Sequence, residues 1–181
     1  YPLIGNYGMA EEDYETCFPT IGGLIVREYN DEPSNFRSIA SLSDVMKKYG
    51  IPGIYGIDTR KVTRSVRELG SRKVLITGID TELEDGLSIL RETELPHDAV
   101  SRVSSKEIWC YSSSEQQDDL PERFHVVAID CGIKYNILRS LKKRGCGITV
   151  VPWDTSADEI ASLQPDGIFL SNGPGDPMDV L

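Results

Sequence analysis

His125-Val126-Val127-Ala128-Ile129 is a largely apolar run with the length of one β-strand. Uninterrupted apolar runs are typical of strands that are buried on both faces, as in a parallel sheet. Downstream, residues 136–144 and 156–163 have the apolar spacing of helices, and residues 148–151 and 167–171 have the composition of strands. We therefore predict a β-α-β-α-β arrangement with short links, the first half of a doubly wound parallel α/β sheet.

The last of these strands is followed by Asn172-Gly173-Pro174-Gly175-Asp176-Pro177, here called the glycine turn. Ligands bind beyond the carboxyl ends of strands in such sheets, and glycine lets backbone N–H groups approach a ligand closely. The turn is then either a loop whose N–H groups stabilise an oxyanion or a plain tight turn, which spacing alone favours. It matches neither the G-x-x-x-x-G-K-[ST] phosphate loop nor the G-x-G-x-x-G dinucleotide motif.

Upstream of this sheet two segments of the chain differ in composition and sequence pattern. Residues 22–93 alternate between strand-like and helix-like runs, whereas residues 94–123 are rich in serine and acidic side chains with few apolar positions. We predict an irregular connection over residues 94–123, in which 112–122 form a linker between domains at 1–111 and 123–181. A long surface loop inside one domain is the alternative.

Within residues 22–93 the patterns predict three strands and three helices. The strands are expected at residues 23–26, 53–57 and 74–77. The first helix would be capped by Ser43 and run through Tyr49, and a weaker helix would span residues 84–91. Between them, Thr59 would cap a helix that carries Val62, Val66 and Leu69 on one face and ends at Gly70.

Composition narrows the class of protein and of partner. The 181 residues carry a formal net charge of −10 and no basic run, which argues against nucleic acid or an anionic membrane as the main partner. No apolar stretch approaches the roughly 20 residues of a membrane-spanning helix, and no signal peptide opens the sequence. We expect a cytoplasmic protein with reduced thiols.

Metal binding is not indicated by the residues present. The four cysteines lack C-x-x-C spacing, and only two histidines, His97 and His125, are available. We therefore predict neither a metal site nor a cofactor in this chain. The cysteines are Cys17, Cys110, Cys131 and Cys146.

Four separate stretches resemble the small, glutamine-hydrolysing subunits of carbamoyl-phosphate synthetases. Residues 1–8, Tyr-Pro-Leu-Ile-Gly-Asn-Tyr-Gly, are similar to the family's Y-P-x-I-G-N-x-G segment, and residues 56–64 are similar to its G-x-D-T-R-x-L-T-[RK] segment. Residues 130–139 are similar to the start of its amidotransferase domain, and residues 171–177 to its S-N-G-P-G-D-P loop. Order and separation also fit, so the resemblance covers nearly the whole chain.

The resemblance implies a β/β/α N-terminal domain followed by the first half of a flavodoxin-like class I amidotransferase domain. The partners would be glutamine as substrate and the large synthetase chain. ATP and Mg²⁺, with K⁺, are expected on that large chain, where ammonia from glutamine, bicarbonate and ATP give carbamoyl phosphate for arginine and pyrimidine synthesis.

By the resemblance, Gly173 and Gly175 would be the glutamine-contacting residues, and the N–H of Gly173 would contribute to the oxyanion hole. The family's nucleophilic G-x-C-x-G-H-Q elbow and its H-P-E segment do not occur in these residues. We expect the Cys-His-Glu triad to lie beyond Leu181 and a glutamine-contacting Ser to precede Tyr1. The chain as given should therefore not hydrolyse glutamine.

For other polar residues the sequence gives less indication of a role in binding or catalysis. Cys131 follows a strand, but no elbow motif surrounds it and the family has Phe there, so a passive, partly buried thiol is predicted. Lys134 and Asn136 could line the mouth of the site but more often cap a helix. Structural or solvated roles are predicted for Asp58-Thr59-Arg60, for both histidines and for Asp118-Asp119.

Two other classes of function remain open from the sequence. A non-catalytic docking module for a synthetase large chain would bind that chain without binding glutamine. A flavodoxin-like nucleotide or flavin binder would rest on the sheet alone, and the lack of a Ser/Thr-rich phosphate loop after the first strand counts against it.

Overall fold

The computed structural model describes residues 3–112 and 121–180, which divide into two compact units. The first unit contains Phe18–Leu95 and the residues that precede Glu15, and the second contains Glu15–Cys17 and the residues from Pro96 onward. Each unit combines strands and helices, so the predicted α/β class is confirmed at this level. None of the helices in the described residues has the length and apolar character needed to span a bilayer.

The described residues of the first unit form four two-residue strands and three α-helices, with a short 3-10 helix at Glu11–Asp13. The strands are β1 (Leu3–Ile4), β2 (Leu24–Ile25), β3 (Glu28–Tyr29) and β4 (Gly53–Ile54), and the helices are α1 (Leu42–Lys48), α2 (Thr59–Leu69) and α3 (Leu83–Glu92). Strand β1 pairs in parallel with β3, and β2 pairs in parallel with β4. The predicted strands at 23–26 and 53–57 and the helix at 84–91 are therefore confirmed, with different ends.

The N-terminal caps of α1 and α2 differ from the predicted ones. Ser41, not Ser43, caps α1, because its side chain accepts from the backbone N–H of Asp44 while the Asp44 carboxylate accepts from the backbone N–H of Ser41. This reciprocal pair is a capping box. In α2 the carboxylate of Asp58 accepts from the backbone N–H of Lys61, so Thr59 is the first helical residue instead of the cap.

The strand predicted at residues 74–77 is wrong. The structure assigns these residues to no strand, and Val74 is exposed. A β-branched, apolar run has the composition of a strand, but a strand forms only where a neighbouring backbone pairs with it. Local sequence does not reveal whether that neighbour exists.

The second unit contains a four-stranded sheet in the order β5-β7-β6-β8. The elements in the described residues of this unit are α4 (Ala99–Val103), β5 (Trp109–Tyr111), β6 (Phe124–Asp130), α5 (Tyr135–Lys142), β7 (Cys146–Pro152), α6 (Ala157–Ser162), β8 (Gly167–Leu170) and a short 3-10 helix (Pro177–Val180). Strands β6, β7 and β8 are parallel, and β5 is an antiparallel edge. The predicted β-α-β-α-β order from residue 124 to residue 171 is therefore confirmed.

Apolar side chains are buried on both faces of this sheet. Leu138 of α5 is fully buried on one face, packed with Ala128 and Val150, and Ile160 of α6 packs with Val127 on the other face. This two-sided burial explains the uninterrupted apolar sequence of β6, because neighbouring residues of a strand point to opposite faces. It also fixes the register of β6 and β7, and with it the position of the segments that follow them.

The irregular connection predicted over residues 94–123 is wrong in part, because α4 and β5 lie within it. Both elements are too short to be recognised from periodicity, and β5 is stabilised by pairing with the edge of β7. The compact units accordingly divide after Leu95, before the predicted boundary at residue 111. Residues 113–120, most of the predicted linker, and with them Asp118 and Asp119, lie outside the described residues. The domain boundaries themselves stay a prediction.

Candidate active-site turn

The glycine turn lies against the backbone that follows β6. A Cβ added to Gly173 would lie 2.3 Å from the carbonyl oxygen of Cys131 and 2.9 Å from its Cβ. Real Cβ atoms do not approach other atoms this closely, so only glycine fits at this position without a shift of the backbone. The carboxyl ends of β6 and β8, which are neighbours in the sheet, thus bring Cys131 and Gly173 into contact.

The buried hydroxyl of Ser171 joins the same two segments. Its Oγ accepts a hydrogen bond from the backbone N–H of Cys131 at 2.9 Å and donates to the carbonyl oxygen of Asn172 at 3.1 Å. Both bonds lie at the start of the glycine turn. The position of the turn relative to β6 is therefore fixed by hydrogen bonds and by close packing together.

A second buried polar group, Asp130, shapes the segment that Gly173 contacts. One carboxylate oxygen accepts from the backbone N–H groups of Gly132 and Ile133, both at 2.8 Å, and the other accepts from the backbone N–H and the hydroxyl of Ser105, at 2.9 and 2.5 Å. Burial alone would raise the pKa of Asp130, but these hydrogen bonds outweigh it and hold the pKa below its usual value. Asp130 is therefore a buried carboxylate that remains ionised, with its hydrogen bonds satisfied.

Cys131 is placed near the turn, but its chemistry does not suit a nucleophile. Burial, and to a lesser extent the Asp130 carboxylate, raises the pKa of the Cys131 thiol. A nucleophilic cysteine needs the opposite shift, because the thiolate is the reactive form. These surroundings support the predicted passive thiol. The other three thiols are free, with Cys17 and Cys110 exposed and Cys146 buried.

The residues at the start of α5 behave as capping positions, with a partner that local sequence does not reveal. Lys134 occupies the N-cap position without a side-chain cap, and the backbone N–H of Asn136 donates to the carboxylate of Glu15 at 2.9 Å. The same carboxylate accepts from Arg139 at 3.0 Å. Glu15 therefore takes the place of a local cap at a helix more than a hundred residues away. Only a tertiary structure could reveal this role.

The two histidines occupy different surroundings within the second unit. His125 hydrogen-bonds through Nε2 to Thr149 Oγ1 at 2.8 Å, within the sheet. His97 is largely exposed, and its Nδ1 lies 2.7 Å from the Asp179 carboxylate, just beyond the glycine turn. This hydrogen bond and the charge of Asp179 raise the pKa of His97. Neither histidine contacts Cys131 through any hydrogen bond described in the structure.

We expect Asp179→Asn to lower the pKa of His97 toward its ordinary value of about 6.5. Because the folded-state pKa of His97 is raised, its pairing stabilises the fold fully below the unfolded pKa, and this contribution disappears as pH rises through the folded pKa. NMR titration of the His97 imidazole in the parent and variant chains measures the shift. An unchanged pKa in Asp179→Asn would contradict the pairing.

Comparison with known proteins gives two family matches in this chain. Residues 1–76 match the CPSase domain of the carbamoyl-phosphate synthase small chain, and residues 127–180 match the class-I glutamine amidotransferase domain. The carbamoyl phosphate synthase small chain of Bacillus anthracis is 49% identical over 181 residues, which is 99% of this chain and 47% of that protein.

Two further relatives have the same name. The small chain of Staphylococcus haemolyticus is 45% identical over 98% of this chain and 46% of its own length, and that of Fusobacterium nucleatum is 45% identical over 99% and 48%. The chain thus spans about half the length of the curated relatives it matches. The resemblance expected from the four motifs is confirmed: over nearly all of its residues, the chain is similar to the carbamoyl-phosphate synthase small chains.

Proposed function

We propose that this chain contributes the glutamine-contacting turn of a carbamoyl-phosphate synthase small subunit. Such a subunit hydrolyses glutamine to glutamate and supplies ammonia to a large chain that makes carbamoyl phosphate. The observation that carries the proposal is the packing of Gly173 against Cys131, at the carboxyl ends of parallel strands, within the residues that match a class-I glutamine amidotransferase. A ligand-binding turn is expected at this edge of a parallel sheet.

The geometry of the turn suits oxyanion stabilisation. Attack on a carboxamide places negative charge on the former carbonyl oxygen, and fixed backbone N–H groups stabilise that charge without reorganising. The turn is held by the Ser171 hydroxyl, by close packing at Gly173 and by two prolines. We infer that the Gly173 N–H is one donor and that Gly175 contacts the substrate.

Glutamine hydrolysis itself also needs an activated nucleophile. These 181 residues contain no G-x-C-x-G-H-Q segment and no H-P-E segment, and the raised pKa of Cys131 does not suit that role. We therefore expect the chain as given to bind glutamine without hydrolysing it. In the whole subunit the thiolate would attack the carboxamide, and a histidine oriented by a glutamate would transfer the protons.

We infer that the first unit is part of a β/β/α domain that contacts the large synthetase chain, and that the second is the first half of a flavodoxin-like sheet. ATP, Mg²⁺ and K⁺ would act on the large chain, in the cytoplasm. The matches at residues 1–76 and 127–180 support this division.

Titration of the ¹⁵N-labelled chain with L-glutamine tests the substrate. We expect saturable chemical-shift changes at the backbone amides of Gly173 and Gly175, with little change at Gly147 and Gly167, because only the first two lie in the glycine turn. L-Glutamate, which lacks the carboxamide, is the matched ligand control and should bind more weakly.

Two outcomes separate this proposal from its alternative. Shift changes at the glycine turn with L-glutamine support the amidotransferase role. Capture of a synthetase large chain by a chain whose turn amides stay unmoved at saturating glutamine would instead favour the docking module.

A further inference from the structure

Helix α4 lies in a part of the chain that neither family match covers. Residues 77–126 separate the two matches, and α4 (Ala99–Val103) is near the middle of that interval. The structure nevertheless places α4 in the same compact unit as the glycine turn. Helix α4 therefore either only connects the two matched segments or also affects the glycine turn.

Helix α4 lies close to both segments that form the candidate site. A Cβ added to Gly175 would lie 3.3 Å from the Cβ of Ala99, and one added to Gly132 would lie 3.0 Å from Cγ2 of Val103 and 3.5 Å from Cδ of Pro174. Both glycines have positive φ, +84° and +118°, so their conformations are ones that other residues rarely adopt. Helix α4 thus lies beside two glycines whose backbone conformation restricts substitution.

The residues after α4 connect it to the sheet through hydrogen bonds. Ser104 is buried, and its Oγ accepts from the backbone N–H of Trp153, at the carboxyl end of β7, at 3.1 Å. Ser105 donates two hydrogen bonds to the carboxylate of Asp130, at the carboxyl end of β6. The helix is therefore held against the same edge of the sheet from which the glycine turn extends.

A short helix held in this way can affect the position of the glycine turn, because the two lie side by side. Ala99 is half-buried and Gly175 is exposed, so their contact lies at the surface of the unit. Added volume at a close contact is met by a shift of one of the two groups. At Ala99 the neighbour is Gly175: a Cβ placed on that glycine would already lie 3.3 Å from the Ala99 Cβ, so a larger side chain at position 99 would compete for the space that the glycine leaves open. At Val103 the neighbour is Gly132, which lies one residue from the Cys131 backbone that Gly173 contacts.

We propose that Ala99 of α4 is a positioning residue for the glycine turn. Its methyl group sets how closely the Gly175 backbone approaches α4, and Ser105 together with Asp130 holds α4 in place. The inference rests on the proposed glutamine site for its effect on affinity, but not for its effect on the conformation of the turn. It assigns a role in substrate binding to a segment outside both family matches.

A graded series at position 99 tests the inference. Ala99→Ser, Ala99→Val and Ala99→Leu add increasing volume toward Gly175, so the amide chemical shift of Gly175 in the ligand-free chain should move progressively further from its parent value. The affinity for L-glutamine should fall in the same order, by about tenfold or more for leucine, since misplacing a site by roughly 1 Å can cost about a hundredfold in rate.

The matched control is Arg102→Leu, which places the same leucine on an exposed position of the same helix. Within the part of the chain that the structure describes, the side-chain interaction that it removes is the exposed ion pair with Asp98, and such pairs contribute little to stability. It should leave the Gly175 amide and the glutamine affinity at their parent values. Thermal unfolding of every variant identifies any that do not fold, and Ala99→Val is decisive if the leucine variant unfolds.

The position-99 series distinguishes the positioning role from the proposed glutamine site. Graded shifts at Gly175 with graded loss of affinity support the inference, and graded shifts in a chain whose parent does not bind glutamine support the positioning role while rejecting the proposed function. A folded Ala99→Val chain with an unchanged Gly175 amide and unchanged affinity would overturn the inference.

Discussion

Replacing Gly173 with alanine is expected to abolish glutamine binding and to destabilise the second unit by about 3 kcal/mol, the upper end of the usual cost of overpacking. The new Cβ would lie 2.3 Å from a backbone carbonyl oxygen of Cys131, which cannot move aside as a flexible side chain can. Either the glycine turn or the segment after β6 must shift. Both shifts disturb the arrangement that we propose for oxyanion stabilisation.

The measurement has two parts, because folding and binding must be separated. Urea unfolding gives the change in stability, and the L-glutamine titration followed at the Gly175 amide gives the change in affinity. The matched control is Gly167→Ala in β8, six residues earlier, where an added Cβ meets no atom within 4 Å. It should change stability only slightly and leave glutamine binding intact.

Equal effects of the two alanine substitutions would contradict the close packing at Gly173. Unchanged glutamine affinity in Gly173→Ala, in a chain that still binds glutamine, would remove Gly173 from the site. The comparison thus tests one contact instead of the general tolerance of the unit to alanine.

The sheet that carries the glycine turn was predictable because its sequence is locally consistent. The apolar run of β6, the capping box of Ser156 with Glu159 at α6, and the order of strands and helices all indicate one fold. Burial on both faces makes such strands recognisable in the sequence, since every side chain must be apolar or have its hydrogen bonds satisfied. The position of the glycine turn at the carboxyl edge of the sheet then follows from the order of the strands and helices.

Features that depend on distant partners were not predictable. The cap of α5 is supplied by Glu15, and β5 exists because the edge of β7 pairs with it. The run at residues 74–77 shows the converse, since strand-like composition without a pairing neighbour gives no strand. Pairing and capping across long separations leave no local pattern, so periodicity cannot reveal them.

The same reason explains why Asp130 was not singled out as a site-shaping residue. In the sequence it is only the residue that follows the predicted strand at 125–129, at the start of the family motif at 130–139. Its partners include Ser105, in a segment that was predicted to be irregular. Only the structure shows that one buried carboxylate joins the end of β6 to the end of α4.

Asp130→Asn is expected to cost about 3 kcal/mol of stability, because hydrogen bonds to a charged group contribute more than neutral ones and an unpaired buried donor is costly. The amide keeps the size of the carboxylate but offers only one acceptor oxygen. Its NH₂ group would face either the backbone N–H groups of Gly132 and Ile133 or the two donors of Ser105. One set of donors therefore loses its acceptor.

The pH dependence of stability gives an independent measurement. The folded-state pKa of Asp130 is lowered, so its contribution is fully present above the unfolded pKa, near 3.8, and is lost as pH falls through the folded value. Urea unfolding between pH 7 and pH 2 should show this loss in the parent chain and a flatter profile in Asp130→Asn. The exposed Asp154→Asn is the control with the same chemical change and should retain the parent profile. A parent-like profile and stability in Asp130→Asn would show that the carboxylate charge does not hold the segment on which Gly173 packs.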